Sequence, residues 1–259
     1  MKKSCIILMI IMLTGLAGIS CGQASHVGGT FMAVESETIN IPSVQASGAA
    51  VDVTEEATEF STGGTDSDAP FLVLVNFEHP IYSEPPVVLL SEYLTAANTV
   101  CDPRRHANET AAKALNEMLT AAEGEGDFHF IIASAFRYIW EQRMMWEGKI
   151  AEEPDYGKDP YANPVKLMPT NCSEHTTGLA FDILCRECPH SDVGYANTAE
   201  GRWLAANAHR FGFILRYPAD KQHITGVQFE PWHFRYVGKD AAQYIYSHSL
   251  CLEEYLGRP

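Results

Sequence analysis

Four side chains carry the chemistry that this sequence can do: His175, Asp182, Glu230 and His233. The first two lie in SEHTTGLAFDI and the last two in EPWHFRYVG. Two imidazoles and one carboxylate make a three-ligand set for a catalytic zinc ion, with a fourth position left for water. The spare acid, Glu230, would then act as general base. Taken alone, EPWH fits a buried, hydrogen-bonded His–Glu pair better than a metal site; His175 and Asp182 tip the balance towards a metal.

The elements must bring these residues together. Residues three apart on a regular strand point to opposite faces, so Glu230 and His233 would diverge. Pro231 cannot donate to a ladder, and a distortion there is expected to turn both side chains to one side. Gly178 separates a loop carrying His175 from a strand, GLAFDIL, carrying Asp182. Further strands are expected in FLVLVN (71–76), FHFIIASAF, GFILRYP and TGVQFEPWHFRYV. Helices are expected over RRHANETAAKALNEMLTAAEGEG, which ends in glycines, over RYIWEQRMMWEGKI, over AEGRWLAANAHRFGF and over DAAQYIYSHSLCLEEYL. Helices and strands mix without regular βαβ alternation. The class expected is α+β, with a mainly antiparallel sheet flanked by helices.

Length and charge bound the rest. The chain has 259 residues, 46% of them hydrophobic, and a formal net charge of −15. That charge excludes nucleic acid as the main partner, because phosphate binding wants clustered Lys and Arg. Residues 1–21 read as an export signal: Lys2 and Lys3, an apolar run too short for a comfortable membrane span, then Cys21. Cys21 stands where a bacterial lipoprotein carries its lipid, although Gly18 occupies the place where Leu is usual. Residues 22–69 contain no Lys or Arg and few large apolar residues. They read as a disordered acidic linker between the membrane and a domain at 70–259.

Export also bears on the cysteines. Cys101, Cys172, Cys185, Cys188 and Cys251 are an odd number. Cys185 and Cys188 have C-x-x-C spacing, but no second such pair completes a four-cysteine zinc site. A local disulfide or two free thiols is the reading.

SEHTTGLAFDI and EPWHFRYVG, with SAFRYIWEQ upstream, resemble the signatures of the VanY-type D-alanyl-D-alanine carboxypeptidases. These are zinc peptidases of bacterial peptidoglycan that share a fold with the hedgehog signalling domain. The likeness runs from about Pro70 to Leu256. It implies one zinc ion held by His175, Asp182 and His233, with Glu230 as base. It implies that Arg137 grips the substrate and stabilises the carbonyl oxygen, and that Gln142 and Ser173 contact the C-terminal end of the peptide. Trp232 reads as a wall of the same pocket. Two departures are visible: Ala135-Phe136-Arg137-Tyr138 stands for Gly-Tyr-Arg-Ser, and Thr170-Asn171-Cys172-Ser173 for Pro-Gly-x-Ser. The second puts Cys172 near the metal, as an apolar filler or as a partner for Cys185 or Cys188.

The activity implied is release of the terminal D-alanine from peptidoglycan stem peptides by a monomer outside the cytoplasmic membrane. An L,D-carboxypeptidase trimming tetrapeptide stems and a catalytically silent zinc-containing wall-binding module are the alternatives.

Overall fold

The computed structural model describes residues 67–257. The signal segment, Cys21 and almost all of the acidic linker lie outside the described residues. The strands are β1 (Val88–Leu89), β2 (Thr99–Cys101), β3 (His106–Ala107), β4 (Phe130–Ser134), β5 (Ala180–Cys185), β6 (Phe213–Leu215) and β7 (His233–Tyr236). The helices are α1 (Glu109–Glu125), α2 (Ile139–Glu152), α3 (Ala199–Asn207), α4 (Gln222–Thr225), α5 (Lys239–Ser247) and α6 (Leu252–Tyr255). β1 and β3 form a small antiparallel ribbon, and the main sheet runs β2-β4-β5-β7-β6. β2 pairs with β4 in parallel, and the remaining pairings of that sheet are antiparallel. The sheet is therefore mixed. The parallel pair is a crossover, with β3 and α1 lying between its strands in the chain.

Period-two alternation divides the sheet into a packing face and a chemical face. Phe130, Ile132, Phe181, Ile183, Phe213 and Phe234 are all buried and belong to one core with α1. α1 supplies Ala111, Ala112, Leu115, Met118, Leu119 and Ala122 from its apolar stripe. Its first turn is capped by Asn108, whose side chain accepts from the backbone N–H of Thr110 at 3.0 Å and Ala111 at 3.2 Å. On the alternate positions, Asp182 faces His233 across the β5–β7 pair, and an irregularity between Ile132 and Ser134 turns Ser134 to face Asp182 across β4–β5. Three neighbouring strands thus place polar side chains in one row.

FLVLVN is not a strand. Ala69–Phe71 is a 3₁₀ turn, and the following residues join no sheet. Their carbonyls are met by a side chain instead: Arg235 donates to the carbonyl oxygens of Phe71 at 2.9 Å and Val73 at 2.7 Å. Leu74 is buried with Val237, Ala241, Ile245 and Leu252 in a second core beneath α5 and α6. TGVQFEPWHFRYV is strand only from His233 onward, because the chain turns at Pro231. AEGRWLAANAHRFGF stays α-helical to Asn207 and then tightens into a 3₁₀ turn that ends at Gly212.

Candidate metal centre

His175 sits in a 3₁₀ turn, Glu174–Thr177, that ends on Gly178 in the left-handed region (φ 73°). A Cβ there would lie 2.8 Å from the backbone nitrogen of Asn108, so glycine is required for the chain to enter β5 this closely. Asp182 follows in β5, and His233 opens β7 as its direct cross-strand partner. Glu230 precedes it in a turn closed by the His233 N–H donating to the Glu230 carbonyl at 3.1 Å. This is the distortion expected at Pro231, and it brings Glu230 Oε2 to 3.7 Å from His233 Nδ1.

The structure brings His175, Asp182 and His233 together. One ligand atom from each lies within 4.8 Å of the others. His175 Nε2 is 3.3 Å from Asp182 Oδ2, and His233 Nδ1 is 3.1 Å from Asp182 Oδ1. The opposite edge of each ring is also fixed. His175 Nδ1 is 2.7 Å from the carbonyl oxygen of Ala135. A carbonyl can only accept, so Nδ1 carries the proton and the Nε2 lone pair is presented to the site. Behind His233, Nε2 faces Glu174 Oε2 at 3.7 Å.

Electrostatics favour a cation. Burial pushes Glu230 up to about 8, with the nearby charge of Asp182 adding to the shift against His233, Lys166 and Arg137. Burial opposes a charged His233, yet its hydrogen bond to Asp182, the Glu174 carboxylate facing it, and the charges of Asp182 and Glu230 lift it to about 9. Asp182 is also desolvated, but the two histidines hold its carboxyl well below the usual range. Two imidazoles and a carboxylate around one point, with both rings braced from behind, fit a tetrahedral zinc ion.

Arg137 lies beside this cluster where the two halves of a cleft adjoin. One half of the cleft, about 740 Å³, is lined by Arg104, Arg105, Tyr138 and Trp140. The other, about 570 Å³, is lined by Ser173, Glu230, Trp232, His233, Tyr217 and Lys166. Arg137 and Asp182 line both. The guanidinium of Arg137 donates to Gln142 Oε1 at 2.7 Å and Ser134 Oγ at 3.1 Å, and its backbone N–H donates to the His175 carbonyl at 3.1 Å. Gln142 is fully buried and lines neither half of the cleft. Its Nε2 donates to the Met168 carbonyl. The side chain expected at the peptide terminus therefore stands behind Arg137 and braces it. Ser173 and Trp232 line the second half of the cleft.

Cys172 is buried among Val165, Met168, Tyr217 and Val227 and is an apolar filler. Cys101, Cys172, Cys185, Cys188 and Cys251 are all free thiols.

The most buried charges lie behind the site. Arg216 and Arg235 are fully buried, and both hold Glu174, at 2.8 and 2.7 Å; Arg216 also holds Glu253 at 2.6 Å. Glu174 directly precedes a ligand, so the available signal was an acid next to His175, with two arginines flanking His233.

A mixed sheet carrying a His–Asp–His cluster with a spare acid beside it defines a metallohydrolase-type centre. The VanY family, D-alanyl-D-alanine carboxypeptidase, matches residues 104–239. The chain belongs to that family. It is 38% identical over 190 residues to the D-alanyl-D-alanine carboxypeptidase of Enterococcus faecalis, which covers 71% of this chain and 65% of the relative. It spans little more than half of two other curated relatives, 54% and 57%. Among solved structures, it resembles the LdcB LD-carboxypeptidase, with a TM-score of 0.63 and 32% identity over 74% of this chain and 88% of the other. It also resembles a vancomycin-resistance D,D-pentapeptidase VanY in complex with Zn(II), with a TM-score of 0.56 and 36% identity over 72% of this chain and 98% of the other.

Proposed function

We propose that the protein is a zinc-dependent carboxypeptidase that removes the C-terminal D-alanine from peptidoglycan stem peptides. The observation that carries this reading is the meeting of His175, Asp182 and His233 within 4.8 Å, with Glu230 beside them as the acid left over. Zinc held by these three residues would supply a Lewis acid for the scissile carbonyl and a water more acidic than bulk.

The chain's own groups do the rest. Glu230 accepts the proton of the attacking water and passes it to the leaving amine. Its only ion-pair contact among the described residues is His233, so its carboxylate is not spent on a structural bond. Arg137, fixed by Gln142 and Ser134, holds the substrate and stabilises charge developing on the carbonyl oxygen. Ser173 and Trp232 line the half of the cleft that receives the departing residue.

The resemblance to LdcB supports a second reading, an L,D-carboxypeptidase that trims tetrapeptide stems. One experiment separates the two: zinc content is measured alongside release of alanine from peptides ending in D-Ala-D-Ala and in L-Lys-D-Ala. A zinc-loaded protein that releases alanine from neither is the silent wall-binding module. We further propose that the enzyme acts outside the cytoplasmic membrane, on the strength of the signal-like residues 1–21. Cys21 would be its lipid anchor and residues 22–69 its tether. Mass analysis of the mature N-terminus tests that placement.

A further inference from the structure

The charges behind His233 form a closed set. Arg216 and Arg235 donate to the same oxygen of Glu174, at 2.8 and 2.7 Å. The other two nitrogens of the Arg216 guanidinium donate to Glu253, one to each carboxylate oxygen, at 2.8 and 2.6 Å. None of these four side chains is more than 2% exposed. Two guanidinium groups thus meet two carboxylates, and the set is neutral. Among the described residues, the Glu253 side chain bonds to Arg216 alone.

Glu253 comes from the last helix. It lies in α6, beyond residues 104–239 that match the family. α6 has its own anchors, so it does not depend on the charges for its place. Leu252 and Tyr255 are buried in the second core. The Glu254 carboxylate accepts from the Cys251 N–H at 2.8 Å and from Lys221 at 2.9 Å.

Arg216 stands directly behind the ligand. Its backbone N–H donates to the His233 carbonyl at 3.2 Å. Its guanidinium lies 4.8 Å from the centre of the Tyr217 ring, and that ring lies 4.9 Å from the ring of His233. Through Glu174 it also bears on His233 Nε2, which Glu174 Oε2 faces at 3.7 Å. A carboxylate behind a metal-ligating histidine fixes the ring and raises its basicity. Were Glu253 absent, Glu174 would have to balance two buried cations by itself, in a medium too dry to screen them. Negative charge drawn towards Arg216 and Arg235 is withheld from His233.

We propose that Glu253 is a positioning residue for the metal: it neutralises Arg216 and so leaves the Glu174 carboxylate to orient and polarise His233. The inference rests on the reading of His175, Asp182 and His233 as zinc ligands. It ties the strength of that site to the C-terminal helix.

Zinc affinity of the whole protein, read by chelator competition, tests it. Glu253→Gln keeps the volume and removes the charge. Its zinc affinity falls about tenfold, and the absorption bands of cobalt(II) bound in place of zinc shift. Glu253→Asp, with the charge kept at poorer geometry, falls between that variant and wild type. Adding Arg216→Met to Glu253→Gln removes the uncompensated cation, and zinc affinity recovers. Leu252→Ala loosens α6 without touching the four charges; it lowers the urea midpoint and leaves zinc affinity unchanged. If Glu253→Gln lowers the urea midpoint but binds zinc as wild type does, Glu253 only holds α6 down and the proposal is overturned. A loss of zinc affinity in Leu252→Ala as large as in Glu253→Gln overturns it too. Should Glu253→Gln not fold, Glu253→Asp decides: a loss of zinc affinity upholds the proposal and wild-type affinity ends it. A wild-type protein that binds no zinc contradicts the metal reading itself, whereas tight wild-type binding that Glu253→Gln leaves intact removes Glu253 alone.

Discussion

Oε2 of Glu174 points at Nε2 of His233 across 3.7 Å, and neither atom has a hydrogen-bond partner. The other oxygen of Glu174 is gripped by Arg216 and Arg235, so the carboxylate cannot turn away. This fixes the His233 ring with Nδ1 towards Asp182. Replacing Glu174 by Gln should lower zinc affinity by about 10- to 100-fold, as for other partners that orient a ligand from behind. It also leaves the buried Arg235 without a carboxylate partner and Arg216 with Glu253 alone, a loss of about 3–5 kcal/mol. Chelator competition and urea unfolding measure the two effects. Unchanged zinc affinity would sink the positioning role.

Glu230→Gln should keep one zinc per chain and lose roughly 10²- to 10⁴-fold in kcat, the usual contribution of a general base. His175→Ala should lose the metal together with the activity. Metal analysis beside a single-turnover assay separates these variants, and a Glu230→Gln protein with near-normal turnover would remove Glu230 from the mechanism.

Activity should fall on the acid side. Glu230 works as a carboxylate, and burial pushes its pKa up to about 8 in the absence of a cation. A bound divalent cation favours the charged form and moves the value down. The acid limb of kcat/KM should therefore lie below pH 8, with activity lost as pH falls through it. A rate profile across pH 5 to about 9 checks this, and a limb in the opposite direction would contradict the assignment.

Stability should decline in acid for a related reason. Glu174 is fully desolvated, which by itself raises its pKa, but Arg216 and Arg235 outweigh burial and hold it well below its ordinary 4.5. A carboxyl depressed in the folded state binds its proton more readily when unfolded. Its contribution is complete above pH 4.5 and is lost as pH drops below that value. Asp182 is shifted the same way by His175 and His233. The urea midpoint should fall steadily below about pH 4.5, and less steeply in Glu174→Gln.

The part of this molecule that could be read from its sequence is the part governed by local pattern. His175, Asp182, Glu230 and His233 stand in short motifs, and Pro231 announced the turn that joins two of them. α1 shows its apolar spacing plainly. What could not be read depends on distant partners. FLVLVN has the composition of a strand, yet its carbonyls are claimed by Arg235, some 160 residues away. The parallel β2–β4 pair has no local signature, because its strands are separated by β3 and α1. Arg216 and Arg235 look like ordinary charges until Glu174 and Glu253 are placed against them. A motif gives Gln142 a position but not a direction, and its amide faces Arg137 and Met168.

The carboxylate of Asp68 accepts from the backbone N–H groups of Asp240 and Ala241, each at 3.1 Å, at the start of α5. It packs so tightly on Gly238 that a Cβ there would lie 2.2 Å from it. With Arg235 gripping the carbonyls just downstream, the first few described residues act as a clasp on the underside of the active centre. A recombinant form trimmed to begin at Leu72 would surrender that clasp, while one begun at Ser67 would keep it. The useful point at which to trim the N-terminal segment is thus decided by what lies beneath the sheet, and not by where the acidic composition ends.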